Sequence, residues 1–179
     1  GDIFDQMTAW ANAPMDIVEQ QKLYVQIGPK KHLVVEAWQT IGHFDRAFPI
    51  VEWTRPVRDN DQTIGYEAKV NITKQGQVLS SAVSYCGFSE SVCRAKGGGP
   101  KEDVINSCMS MAQTRATSKA YRLAYSVIVV LAGYAATPAE EMVSEKESDH
   151  KPPAQDAPMG LCPVHKVPFA HRVGTDRAG

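Results

Sequence analysis

Three stretches in the middle of the chain alternate hydrophobic and polar residues, as half-buried strands do. They span residues 48–57, 65–73 and 77–88. The second and third are separated by KQG at residues 74–76, where Gly76 can adopt the positive φ of a tight hairpin turn. The pattern therefore predicts an antiparallel meander of three strands.

Helical periodicity precedes and follows this meander. Residues 32–44 carry apolar residues at helical spacing, and a much longer helix is predicted over residues 102–131, where Gly133 can end it. Residues 23–27 alternate like a short strand, and GPKK at 28–31 is typical of a turn. The predicted order is β–α–β–β–β–α, an α+β fold whose long C-terminal helix covers the apolar face of the sheet.

One apolar stripe runs along the predicted long helix. Its members recur at steps of three or four residues and are Met109, Ala112, Ala116, Ala120, Leu123, Val127 and Val130. The three alanines allow the helix to approach the sheet closely. We therefore expect the stripe to be buried, including the hydrophobic residues near the end of the helix.

The two ends of the chain have different predicted structures. Residues 1–22 give no clear element. Thr137 as an N-cap and Glu140 three residues later form a capping box, which predicts the start of another helix. Residues 144–160 are polar and rich in Pro, so we expect a disordered linker, and residues 161–179 follow as a small separate tail.

Basic charge is concentrated in the middle of a chain whose net charge is only −1. Residues 62–136 carry 8 Lys or Arg and 4 Asp or Glu, whereas residues 1–61 carry 6 and 9, and residues 137–179 carry 5 and 7. This asymmetry indicates a local anionic partner.

Arg115, Lys119 and Arg122 form a basic row in the predicted long helix. Steps of three and four residues place these side chains above one another, where like charges cost about 0.2–0.5 kcal/mol per pair. No Asp or Glu lies between Asp103 and Glu140 to relieve the repulsion. We therefore expect the row to face outward and to contact the phosphates of a nucleic-acid strand.

The Gly-rich loop at 94–101 precedes the helix and adds Arg94, Lys96 and Lys101 to the basic surface. Its flexibility suits a strand of variable path. The alternative is that the helical row forms ion pairs with acidic residues elsewhere in the fold. The acidic residues considered are Glu52, Glu67 and Glu90.

Several aromatic residues are candidates for stacking on bases. They are Trp53, Tyr85, Tyr121 and Tyr125. For Trp53, and for Trp38, packing in the core is the favoured interpretation.

The segment order, with GYEAKV at 65–70 and SMAQTRATSKAYR at 110–122, resembles the phage single-strand annealing proteins. These include the Erf-like essential recombination function group and the related eukaryotic recombination-mediator annealing domain, in which a helical motif rich in Thr, Arg and Ala follows a meander. The resemblance covers roughly residues 23–143. It implies a ring- or filament-forming protein that binds single-stranded DNA in a basic groove and pairs complementary strands without ATP.

The resemblance also implies which residues bind DNA. Arg115, Lys119 and Arg122 match the basic helical motif. The other candidates are added on charge alone and are Lys30, Lys31, Arg94, Lys96 and Lys101. The small net charge departs from that of a strong DNA binder.

Cys162, His165 and His171 give a C-x2-H-x5-H spacing that can share a Zn²⁺ ion. Structural zinc takes four ligands, and no Cys or His follows His171. Either a ligand such as His150 completes the set, or the tail is unstructured and its Cys and His are incidental. No other cofactor is expected, and we expect the cysteines to be reduced thiols.

The sequence contains no P-loop, no dinucleotide-binding Gly pattern and no HExxH zinc motif. We therefore expect a binding protein and not an enzyme. One alternative is a metal-dependent nuclease, or another DNA-processing enzyme of a mobile element, in which Glu52 and Glu67 meet across strands. Another is a structural or adaptor protein whose basic helix packs against an acidic partner.

No membrane partner is expected, because the longest apolar stretch, at residues 123–136, is too short and too broken to span a bilayer of about 30 Å. No signal peptide opens the chain. The expected location is the cytoplasm of a bacterial host or phage-infected cell.

Overall fold

The computed structural model describes residues 2–142. In chain order its elements are α1 (Ile3–Gln20), β1 (Tyr24–Ile27), β2 (Lys30–Leu33), α2 (Val35–Phe44), β3 (Ala47–Asp59), β4 (Gln62–Lys74), β5 (Gln77–Gly87), α3 (Ser91–Arg94) and α4 (Glu102–Leu131). The predicted α+β fold is confirmed, with the strands gathered into a hairpin and a three-stranded sheet.

The three-stranded sheet has the order β3-β4-β5 and is antiparallel throughout, which confirms the predicted meander. Two-residue turns close both hairpins. Asn60 and Asp61 (φ 45° and 64°) join β3 to β4, and Gln75 and Gly76 (φ 51° and 79°) join β4 to β5. Left-handed pairs of this kind match the twist of the strands that they connect. β4 is therefore the central strand.

One face of the sheet packs on the first half of α4, as predicted. Ala68, Val70 and Ile72 alternate along β4 and are fully buried, as are Ala112 and Ala116 of α4. Burying each valine or isoleucine contributes about 1.5–3 kcal/mol. The alanines stabilise the contact differently, because their short side chains let the helix lie close to the strands.

Two elements on the N-terminal side go beyond the predicted order. The turn predicted at residues 28–31 is shorter than expected, because Lys30–Leu33 pairs with β1 as β2. Gly28 adopts a φ of 58° in the turn. α1 occupies the segment for which no element was predicted, and its Val18 is fully buried in the common core.

α4 buries different sides along its two halves. Toward its C-terminus the buried residues are Tyr121, Tyr125 and Val129. Ala116 and Tyr125 are nine residues apart, which at 3.6 residues per turn places them about 180° apart around the helix. The second half therefore does not continue the sheet-facing side of the first.

The C-terminal part of the predicted apolar stripe is exposed as a result. We call it the exposed α4 stripe, formed by Leu123, Val127 and Val130, which are 58%, 57% and 52% exposed. The prediction that these residues are buried is wrong. The reason is that the second half of α4 is held from another side, where the Tyr121 hydroxyl donates to Ala47 O (3.1 Å) and the Tyr125 hydroxyl donates to Asp45 Oδ2 (2.8 Å).

Residues 139–142 are helical, close to the predicted start of a second helix. Glu140 of the predicted capping box contacts other elements. Its Oε1 accepts a hydrogen bond from Val35 N (2.7 Å), and its Oε2 accepts one from Ser118 Oγ (3.0 Å). Because Val35 opens α2, Glu140 satisfies one of the N–H groups that the start of a helix leaves unpaired. Burial raises the pKa of this carboxyl group.

The predicted linker at 144–160 and tail at 161–179 lie outside the described residues. Within residues 2–142, no helix combines the length and the apolar character needed to cross a bilayer.

Candidate nucleic-acid interface

Arg115, the first cation of the predicted basic row, is buried. The whole residue is only 5% exposed. Its Nη2 lies 2.6 Å from Glu90 Oε2, and its Nη1 donates to Tyr85 O at 3.1 Å. The prediction that Arg115 faces outward is wrong, and the alternative of an ion pair with Glu90 is confirmed.

This ion pair ties α4 to the connection between β5 and α3. Glu90 also accepts a hydrogen bond from Gly87 N through Oε1, at 2.8 Å. Glu90 directly precedes α3, and Gly87 ends β5. Arg115 therefore stabilises the fold, and the acidic partner comes from a distant part of the sequence.

The remaining members of the row have separate environments. Arg122 Nη1 lies 2.7 Å from Glu141 Oε2, an ion pair with a residue outside the three acidic partners that were considered. Lys119 is partly exposed and has no ion pair within the described part of the chain. Since two of the three cations are paired, the row is not a continuous line of cations facing solvent.

Lys30 and Lys31 also differ from each other. Lys30 is exposed on β2. Lys31 Nζ lies 2.6 Å from Glu19 Oε1 and 4.5 Å from the centre of the Tyr24 ring. The Lys31 ammonium and the Tyr134 hydroxyl hold the pKa of Glu19 below its ordinary value. Lys31 therefore helps to join the β1–β2 hairpin to α1.

The loop between α3 and α4 carries exposed cations. Lys96 and Lys101 are exposed and form no ion pair among residues 2–142. Arg94 at the end of α3 is exposed as well, and its Nε donates to Ser89 O at 3.0 Å. The loop contains three glycines with positive φ, at residues 97–99. Three of the predicted cations therefore lie together at the N-terminal end of α4.

A surface depression runs along one side of α4 and begins at Lys96 of this loop. It has two adjoining parts, of about 410 and 300 Å³, which share Ser110 and Thr114. We call it the α4 furrow. Lys96 lines the first part. The principal polar residues from α4 are Asn106, Ser107, Ser110, Gln113, Thr114 and Thr117.

The second part of the furrow lies between α4, α2 and β3. It is lined by Val35 and Gln39 of α2 and by Pro49 and Val51 of β3. Val51 is exposed although its neighbours in the sheet are buried. The furrow thus joins a polar helix surface to an apolar rim.

The furrow and the basic row lie on different sides of α4. Ser110 and Lys119 are nine residues apart, which corresponds to about 180° around a helix of 3.6 residues per turn. Lys96 therefore belongs with the furrow, whereas Lys119 lies with the exposed α4 stripe. The sequence did not separate these two surfaces, and small polar residues at helical spacing were the signal for the furrow.

The candidate stacking residues separate in a similar way. Tyr121 and Tyr125 are buried, so neither ring is available to a base. Trp38 is fully buried, as predicted, but Trp53 is partly exposed and has the Arg55 guanidinium 4.1 Å from its ring centre. Tyr85 remains exposed at the sheet.

The two carboxylates considered for a nuclease site are paired with cations. Glu52 Oε2 lies 3.0 Å from Lys69 Nζ, and Glu67 Oε1 lies 2.6 Å from Arg55 Nε. The hydrogen bonds from Lys69 and Asn71 lower the pKa of Glu52. These contacts hold each carboxylate in a separate ion pair on the sheet.

The predicted zinc ligands Cys162, His165 and His171 lie outside the described residues, and that prediction stays as it stands. Comparison with protein-family models, with curated proteins and with solved structures gives no match. The resemblance to the single-strand annealing proteins therefore stays a prediction from the sequence.

Proposed function

We propose that the protein binds single-stranded DNA and anneals complementary strands without ATP, as in phage-type homologous recombination. The observation that supports this proposal best is the α4 furrow with Lys96 in its lining. Lys101 is a second exposed cation of the same loop. Lys96, which has no ion pair among residues 2–142, lies here at the edge of a depression that combines polar and apolar side chains. Such a combination suits a flexible, anionic chain.

The chemistry of the furrow favours backbone contact over base recognition. Ammonium groups of Lys96 and Lys101 neutralise phosphates, while the hydroxyls of Ser110 and Thr114 donate hydrogen bonds to phosphate and sugar oxygens. The Ser107 and Thr117 hydroxyls donate to carbonyls of α4 itself. The apolar rim at Pro49 and Val51 offers contact to base or sugar surfaces. Binding of this kind has little sequence preference, which annealing of arbitrary complementary strands requires.

Annealing also benefits from several copies of the protein acting side by side. Within the described residues β3 and β5 each pair on one side only, so both edges of the sheet can accept another strand. The exposed α4 stripe adds apolar surface that a second copy can cover. Because these surfaces differ from one another, head-to-tail contacts would generate a ring or a filament.

The decisive experiment measures binding of a fluorescent single-stranded oligonucleotide by anisotropy at several salt concentrations. The test variant is Lys96→Ala/Lys101→Ala. The charge-matched control is Arg46→Ala/Arg58→Ala, two exposed cations away from the furrow. We expect weaker binding only in the test variant, with the salt slope reduced by about 0.7 for each lost phosphate contact.

Equal effects of the two double variants would contradict the furrow as the binding site. Absence of any salt-dependent binding by the wild type would contradict DNA binding and favour an adaptor protein. Pairing of complementary labelled strands without ATP tests annealing directly. Shortening of the labelled strand in Mg²⁺ would instead favour a nuclease.

A further inference from the structure

Three cysteine side chains from three different elements meet in the core. Cys86 lies near the end of β5, Cys93 lies in α3, and Cys108 lies in the first half of α4. All three are fully buried, and none forms a disulfide. Their Sγ atoms all lie within 4.8 Å of one another, and those of Cys86 and Cys93 are 3.9 Å apart.

This spacing matches what a thiophilic metal ion requires. Metal–thiolate bonds of about 2.3 Å place two sulfurs on the same ion about 3.8–4.0 Å apart, for tetrahedral or trigonal geometry. The pair formed by Cys86 and Cys93 already has this separation. Cys108 completes the group with a displacement of about 1 Å or less, given the 4.8 Å limit on the sulfur separations.

We propose that Cys86, Cys93 and Cys108 form a three-thiolate site for a soft metal ion, Zn²⁺ or Cu⁺. Thiolates are the ligands that these two ions prefer. Within residues 2–142, no carboxylate or imidazole joins the group. Glu90, the nearby acidic residue, accepts from Gly87 N and pairs with Arg115. Three thiolates are enough for Cu⁺, so this ion needs no further protein ligand. Zn²⁺ would add one further oxygen ligand.

Binding of the ion exchanges protons for metal and involves no change in oxidation state. All three cysteines are free in the described structure. Each of the three thiols loses one proton as its sulfur forms a bond to the ion. The bound ion would join β5, α3 and α4, and the site does not depend on DNA binding.

The experiment uses the full chain with the predicted tail ligands removed by Cys162→Ser, His165→Ala and His171→Ala. This background separates the proposed core site from the predicted tail site. The chain is purified under reducing, anaerobic conditions, and Zn²⁺ or Cu⁺ is added in separate samples. We expect one tightly held ion per chain, release of three protons per ion, and a higher melting temperature. In a further sample that contains both Zn²⁺ and Cu⁺, the ion that the chain retains is the one that the site prefers.

The matched variants are Cys86→Ala and Cys108→Ala in the same background, each of which removes one thiol and leaves the other two. Both should lose the ion. A second measurement on the background chain covers the case in which a variant fails to fold. Added Cd²⁺ should produce a thiolate-to-metal charge-transfer band in the near ultraviolet.

Two results would overturn the site. One is a folded background chain that retains no Zn²⁺ or Cu⁺ and shows no Cd²⁺ band. The other is a mass lower by two hydrogens in protein purified without reductant, together with no metal uptake after reduction, because a Cys86–Cys93 disulfide would then explain the cluster.

Discussion

The two halves of α4 share one apolar stripe in the sequence but have different surroundings. In the first half, Ala112 and Ala116 face the sheet and are fully buried. In the second half, Leu123 and Val127 continue the same helical stripe but are more than half exposed. The larger, more hydrophobic side chains are therefore the ones in contact with solvent.

This difference shows that periodicity identifies a helix face without identifying its partner. The sheet covers the first half of α4, and the connection between α2 and β3 holds the second half through Tyr121 and Tyr125. A stripe that is continuous in the sequence is thus divided between an internal contact and an exposed surface. The same division separates buried Arg115 from partly exposed Lys119.

The largest predicted effect is a difference in stability between variants of Arg115 and Lys119. Arg115→Ala should lower the free energy of unfolding by about 2–3 kcal/mol, because it leaves the partly buried Glu90 carboxylate beside no cation. Lys119→Ala should change it by less than about 0.5 kcal/mol. Urea denaturation of both variants provides the measurement. Similar losses in the two variants would contradict the difference in burial.

A second prediction concerns the exposed α4 stripe. Leu123→Gln/Val127→Gln should change the unfolding free energy of the protomer by less than about 1 kcal/mol, since surface substitutions usually cost within about 0.5 kcal/mol each. If the stripe joins copies of the chain, the same variant should shift the protein to smaller assemblies in light scattering.

The control for that experiment is Ile17→Gln/Val25→Gln, which alters two exposed apolar residues on α1 and β1. It should leave the assembly size unchanged. An unchanged size in the stripe variant, with a wild-type assembly present, would assign the contact to another surface such as the sheet edges.

The smallest effect is a pH dependence at the second half of α4, where Glu140 accepts a hydrogen bond from Ser118. Burial raises the pKa of Glu140 above its ordinary value of 4.5, so the folded chain holds this proton to higher pH than the unfolded chain. Its contribution to stability is therefore present below pH 4.5 and is lost as the pH rises through the raised value.

Glu140→Gln keeps the acceptor for Val35 N and removes the titration. Denaturation curves collected from pH 4.5 upward should show a smaller decline in stability in this variant than in the wild type. An identical pH dependence in the two proteins would contradict a raised pKa at Glu140.

Much of the fold could be predicted because several elements carry a strong local pattern. The alternation of β4 and β5, the KQG turn and the uninterrupted helical run at 102–131 all have the predicted structure. β2 was missed because its four residues, KKHL, show too little hydrophobic alternation beside a Gly-Pro turn. α1 was missed because its helical pattern is interrupted by Pro14.

The candidate interface was less predictable because it depends on pairing between distant residues. Charge alone identified Lys96 and Lys101, which are both exposed, and Lys96 lines the furrow. The absence of acidic residues in the neighbouring sequence suggested that Arg115 is unpaired, but Glu90 approaches it from 25 positions earlier in the chain. Spacing within a helix cannot reveal such a partner.

By itself, the sequence determined the meander, the long helix and the concentration of basic charge in the middle of the chain, because each follows from local periodicity or composition. Only the tertiary structure decided which cations are buried, which half of the apolar stripe is exposed, and that three separate cysteines meet. Those outcomes depend on which elements pack together. A helix of 30 residues that is covered from two directions necessarily presents different sides to the protein along its length.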